Sequence, residues 1–210
     1  MRAKLLSVLL IALLLVSGCT DRNTRFGTPQ PSPSVLIELP QTRQATPYTC
    51  GVAVLQSILA YNGSLYRQDV LEKRVGASPE WGTNPQAMIT CLEEHGIGAI
   101  IVQNISLELL RSYIDSGQPV VCFLQAWNDD PNFDYSTEWE DGHYAIAIGY
   151  DANRIYFMDP STLANYAYID NNQFLVRWHD GDDQRQFHQT GIVVTNLASS
   201  YKPGAFLPML

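Results

Sequence analysis

The sequence predicts an α+β domain, with helices packed on an antiparallel sheet, and three observations carry that prediction. Helical patterns gather in the first half of the chain and strand patterns in the second, a segregation that suits helices laid on one sheet rather than alternating βαβ units. Residues 142–150 and 155–160 read as two strands joined by the turn-formers Asp151, Ala152 and Asn153. Ahead of both, residues 52–61 form an apolar helical run that directly follows Cys50 and Gly51.

Taken in order, residues 35–39 read as a short strand. In the run 52–61, Val52, Leu55, Ile58 and Leu59 recur at helical spacing, which predicts one buried face, and Asn62-Gly63 supplies a stop. Helices are expected over 66–75 and 85–95, the second capped by Thr83 or Asn84 with Pro85 in its first turn. A strand over 99–103, a helix over 106–116 and a buried strand over 119–124 follow. Between Leu124 and Gly142 lies a long loop carrying Trp127, Phe133, Tyr135 and Trp139. Loops of this length in a compact domain are functional or disordered, and the aromatic residues argue against disorder. Two readings stay open: a substrate-cleft wall lined by Trp127, Tyr135 and Trp139, whose acids favour a basic or neutral peptide, or a structural loop pinned by its rings.

The first residues form a different kind of segment. Arg2 and Lys4 precede an apolar run over 5–16 that is too short for a transmembrane helix and suits a signal-peptide core. It ends Val16-Ser17-Gly18-Cys19, which resembles the lipobox of bacterial lipoproteins. That resemblance implies removal of residues 1–18, lipidation of Cys19 and a membrane-held protein in the bacterial envelope. Thr20 after the cysteine favours the outer membrane in a Gram-negative cell. Residues 19–34, rich in Pro, Ser and polar groups, read as the lipidated cysteine and a flexible tether, and 35–210 as one domain. The 210-residue chain carries a formal charge of −8, and loss of Arg2 and Lys4 makes it more negative, which argues against nucleic acid as a partner.

The chemistry centres on Cys50. A cysteine at a helix start has its thiolate favoured by unpaired backbone N–H groups and the helix dipole, so it is the candidate nucleophile. An attacking thiolate needs donors for the oxyanion and an oriented histidine for the leaving amine. Gln44, six residues earlier, is placed to join the Cys50 N–H as an oxyanion donor. A three-residue turn would pair Tyr150 with Arg154 and Ala145 with Asp159, making His143 and Asp159 diagonal neighbours on one face. A one-residue slip would separate them.

Gln44, Cys50-Gly51, His143-Tyr144 and Asp159-Pro160 together resemble the signature of the bacteriocin-processing, double-glycine cysteine peptidases, a branch of the papain-like superfamily, over about residues 35–195. The resemblance implies the papain-like fold, with the active site in the cleft between helices and sheet, Cys50 as nucleophile, His143 as general acid/base, Asp159 as its partner, Gln44 at the oxyanion, and a peptide or protein substrate. The chain departs from members that process bacteriocin leaders, since no phosphate-binding Gly-rich loop and no bundle of membrane spans is present. Two other functions remain open: thioester-based acyl transfer to an amine or thiol, as in phytochelatin synthase, and a non-catalytic peptide-binding module.

The remaining conspicuous residues have plainer readings. Cys91 and Cys122 are either buried thiols or a disulfide. His95 suits a helix C-terminus. His179 and His188 lack metal-ligand spacing, and residues 180–183 and 129–130 read as solvated turns, so no metal and no cofactor is expected.

Overall fold

The computed structural model describes residues 31–128, 130, 132–182 and 185–206. The elements are β1 (Val35–Leu36), α1 (Cys50–Tyr61), α2 (Gln68–Val75), α3 (Pro85–Glu93), β2 (Gly98–Val102), α4 (Leu107–Asp115), β3 (Val120–Gln125), β4 (Gly142–Tyr150), β5 (Arg154–Met158), β6 (Ala167–Asp170), α5 (Asn171–Arg177), β7 (His179–Asp182), β8 (Arg185–His188) and β9 (Gly191–Thr195). The sheet runs β2-β9-β3-β4-β5-β6, antiparallel throughout, with β1 paired to the far end of β4. The helices pack on it, giving the expected α+β architecture. β7 and β8 form a separate ribbon.

Helix α1 departs from the one-faced pattern. Val52, Ala53, Val54, Leu55, Ile58 and Leu59 have no accessible surface, because α2 and α3 flank the helix and β4 lies against it. Its buried polar residue, Ser57, gives its hydroxyl to the Pro40 carbonyl at 2.5 Å, so enclosure leaves no orphaned donor there. A helix buried nearly all round is a rigid mount for the residue at its start. The neighbouring helices begin where local chemistry says they should. Asn84 caps α3 by accepting from the Gln86 and Ala87 amides, with Pro85 in the first turn, and Ser106 caps α4 through the Leu109 amide.

The β4–β5 hairpin corrects the expected register. Asp151 closes its own turn, its Oδ1 accepting from the Asn153 and Arg154 amides at 2.7 and 2.8 Å. The loop is therefore one residue longer than expected, and Tyr150 pairs with Ile155 rather than Arg154. That slip alone would turn His143 away from Asp159. A bulge at Ile148 restores the alignment, so that Ala147 faces Phe157 and Ile146 faces Met158.

The connection between β3 and β4 contains a short 3₁₀ turn, Tyr135–Thr137, capped by Asp134. Tyr135 is buried, with the Arg177 guanidinium 3.8 Å over its ring and Phe133 against its edge. Its expected place in the cleft wall is thereby corrected: the ring holds the loop to α5. The β7–β8 ribbon escaped the sequence reading because His-Asp-Gly-Asp and Arg-Gln-Phe-His show no apolar alternation. Trp139, packed on His179 and His188 at 4.5 and 5.4 Å, supplies the apolar support from outside the ribbon. Cys91 and Cys122 are free, buried thiols, and burial pushes both thiols up.

Candidate active site

Cys50 opens α1 and is 8% exposed. Thr49 before it does not cap the helix; its hydroxyl accepts from the Thr46 amide and donates to the Thr46 carbonyl, at 3.0 and 3.2 Å. The uncapped start leaves backbone donors near the sulfur, and the N–H groups of Tyr144 in β4 and of Gly51 favour its charged form. Gly51 itself is required by crowding. A Cβ there would stand 2.7 Å from Thr83 Cβ, so only glycine lets the loop before α3 close over the helix start.

His143 stands on β4 with 3% exposure, its Nε2 2.8 Å from Asp159 Oδ1 just beyond β5. Asp159 is fixed in turn by the Ser161 amide at 3.0 Å and the Thr162 hydroxyl at 2.7 Å. With Nε2 committed, the buried Nδ1 has no other nitrogen or oxygen partner among the described residues. It is the nitrogen left for Cys50, whose thiol interacts with His143 without meeting the full geometry of a formed hydrogen bond. Such contacts commonly tighten once substrate is bound. The Trp127 ring lies 4.3 Å from the imidazole and covers it on the loop side.

The ionisation of the three groups follows from this packing. Burial opposes charge on each, but it is outweighed. His143 and the two backbone amides hold the Cys50 thiol below its ordinary value. Asp159 and Cys50 raise His143 to about 9. Hydrogen bonding and charge from His143, then Thr162 and Ser161, hold the Asp159 carboxyl down. Both the lowered thiol and the raised imidazole favour a thiolate beside an imidazolium over the neutral pair.

Gln44 reaches the same centre from the other side of the Asp159 turn. Its backbone amide bonds the Pro160 carbonyl at 3.0 Å, and its side-chain Oε1 accepts from the Ser161 hydroxyl at 2.9 Å. Its Nε2 donates to the Thr46 and Pro47 carbonyls. The amide thus faces the turn leading into Cys50, and it makes no contact with Cys50 among those described. With Arg43, Pro47, Trp127, Pro160 and Ser161 it lines a depression of about 390 Å³. A second groove of about 620 Å³ has Cys50, Thr83, Trp139 and Tyr144 in its lining. Of the three aromatic residues expected in the cleft, Trp139 lines the groove beside Cys50, Trp127 covers His143, and Tyr135 lies elsewhere. Cys19 and residues 1–18 lie outside the described residues. Within the expected tether, Ser34 already bonds the Tyr150 carbonyl through its amide. No group of three or more His, Cys, Asp or Glu is placed to hold a metal among the described residues.

A profile of the Peptidase_C39 like family matches residues 36–185, more than half of the chain. This chain belongs to the C39-like peptidase family. Solved structures similar to it include a putative C39-like peptidase from Bacillus anthracis (TM-score 0.56, 18% identity, covering 79% of this chain and 98% of that one). The peptidase domain of Streptococcus ComA, a bifunctional ABC transporter, matches at TM-score 0.54 and 18% identity, covering 75% of this chain and 96% of the other. A double glycine motif protease from an AMS/PCAT transporter, solved with its leader peptide, matches at TM-score 0.52 and 15% identity, over 79% and 98%. These likenesses establish the fold. No curated protein matches.

In this C39-like chain several residues take a part in the site that the sequence did not assign to them. Ser161 and Thr162 brace Asp159, the Tyr144 N–H favours the Cys50 thiolate while its hydroxyl donates to the Thr83 carbonyl at 3.2 Å, and Thr83 abuts Gly51. Ser and Thr directly after Asp-Pro carried a usable signal, since hydroxyl residues in a turn bond neighbouring acceptors. Tyr144 and Thr83 carried none, because their roles come from contacts across the fold.

Proposed function

We propose that the chain is a cysteine peptidase that hydrolyses peptide bonds through Cys50, His143 and Asp159. The observation that supports it best is the continuous arrangement of thiol, imidazole and carboxylate, with His143 Nε2 held 2.8 Å from Asp159 and Nδ1 left for the sulfur. The Cys50 thiolate attacks the carbonyl carbon, and the electron pair of the C=O bond moves to oxygen. The Cys50 N–H and the Gln44 amide receive that oxyanion, the latter by sharing a hydrogen now given to Thr46 or Pro47. Collapse expels the amine, which takes the proton from Nδ1 and leaves a thioester. Water, deprotonated by the now neutral Nδ1, releases the acid and restores the ion pair. The similar fold solved with a leader peptide supports a peptide as occupant of the groove.

We read residues 1–18 as a signal peptide, Cys19 as the lipidated residue, 20–34 as the tether, and the peptidase domain as standing on the outer side of a bacterial membrane. Incorporation of an alkyne fatty acid into the full chain in cells, lost in Cys19→Ala, supports the anchor; a mature N-terminus at any other residue overturns it.

The enzymatic reading is tested by alkylating the chain with iodoacetamide across pH and mapping the labelled cysteine, beside His143→Ala and a peptide-library digest. Rapid labelling of Cys50 below the ordinary thiol range, weakened in His143→Ala, together with library cleavage lost in Cys50→Ala, supports it. A Cys50→Ala chain as active as wild type overturns it.

A further inference from the structure

Two loops far apart in sequence bring the same pair of residue types to the groove beside Cys50. The turn closed by the Ser78–Gly82 bridge contributes Glu80 and Trp81, and the loop entering β4 contributes Trp139 and Glu140. Trp81 is 77% exposed, a costly way to leave a large ring unless something covers it. The Glu140 carboxylate makes no ion pair among the described residues, and Glu80 has only a 3.5 Å contact from the Ser78 hydroxyl. Asp180 adds a third carboxylate, engaged with Gln125 and the Gly181 amide. No Lys, Arg or His is among the residues lining this groove; Arg185 stands in the adjoining depression, over Phe187. Thr83 lines the same groove, with its buried hydroxyl, unpartnered among the described residues, turned toward Gly51.

Indole faces attract cations and carboxylates bind them directly, so paired Glu-Trp sequences converging on one groove make a receptor for an ammonium or guanidinium. The direction of the bound chain rests on the peptidase reading. His143 must protonate the leaving nitrogen, so the leaving segment lies on the Trp127 and Gln44 side, where Arg43 also stands. The acyl segment then lies along Glu80 and Glu140. We propose that this groove selects peptides carrying Lys or Arg on the acyl side of the scissile bond, with Glu80, Trp81, Trp139 and Glu140 as the specificity-determining residues.

Binding to the full chain carrying Cys50→Ala tests this without requiring turnover. The probes are fluorescein-labelled, end-capped alanine decapeptides with three Lys, three Gln or three Glu, read by anisotropy at low salt. The Lys peptide is expected to bind on the order of ten-fold more tightly than the Gln peptide, and the Glu peptide most weakly. Adding Glu80→Gln with Glu140→Gln brings Lys and Gln within about two-fold of each other, whereas Glu93→Gln with Glu108→Gln, exposed acids that do not line the groove, retains the preference. Absence of a Lys preference, including absence of binding by either peptide, overturns the proposal, as does equal loss in both double variants, which assigns the effect to net charge. In wild-type digests, Lys and Arg enriched on the acyl side of the cuts support the stated direction, and enrichment on the leaving side overturns it. A wild-type chain that prefers Lys peptides yet cuts none contradicts the peptidase reading alone.

Discussion

His143 Nε2 lies 2.8 Å from Asp159 Oδ1 in a hairpin whose turn is one residue out of the expected register and whose bulge at Ile148 puts that residue back. The two irregularities cancel at the distance that separates His143 from the turn. A regular hairpin with the same four-residue loop would place the two side chains on opposite faces.

The charge relation between these groups sets the pH profile. Activity is expected to rise as the Cys50 thiolate forms, below the ordinary thiol range, and to fall as His143 loses its proton near pH 9. Asp159→Asn removes a carboxylate that raises His143, so the alkaline limb of kcat/KM should move to lower pH. An unchanged limb would contradict the assigned role of Asp159.

Ser161 tethers Gln44 through its hydroxyl and Asp159 through its backbone amide. Ser161→Ala removes only the first link. It should lower kcat on the order of ten-fold through a misplaced oxyanion donor, leave the pH dependence of Cys50 alkylation unchanged, and be largely rescued in Ser161→Thr. A matching loss of alkylation would show that Ser161 acts on the nucleophile instead.

At Gly51 an added methyl meets Thr83 at 2.7 Å. Gly51→Ala should cost about 1–3 kcal/mol by displacing the Thr83 loop, and should slow turnover as the groove beside Cys50 changes shape. Denaturant unfolding and kcat/KM on the same sample separate the two effects.

Cys122 is fully buried in β3, and its thiol is pushed well above the ordinary range. Cys122→Ala should cost about 1–2 kcal/mol from lost packing and leave the rate of Cys50 alkylation unaltered, measured by denaturant midpoint and mass mapping.

The legible part of the site lay in short-range chemistry. Cys50 at a helix start, Gln44 six residues before it and the strand carrying His143 are local patterns, and Thr83 or Asn84 with Pro85 marked the start of α3 through capping, which Asn84 performs. The long loop read equally as a cleft wall or as a structural loop pinned by its rings, because its sequence did not separate Tyr135, which faces α5 and Arg177, from Trp139, which faces the groove. The β7–β8 ribbon was invisible because its support comes from Trp139, some forty residues away.

The sequence by itself determined which groups were available for chemistry and on which kinds of element they stand, because helix starts, turns and strand alternation depend on residues within a few positions of one another. The tertiary structure decided the rest: the bulge that realigns His143 with Asp159, the Ser161 amide and Thr162 hydroxyl that brace that pair, and the meeting of Glu80-Trp81 with Trp139-Glu140 beside Cys50. Each depends on how distant segments share space. Such contacts are fixed by the packing of the whole core around α1, which no local pattern encodes.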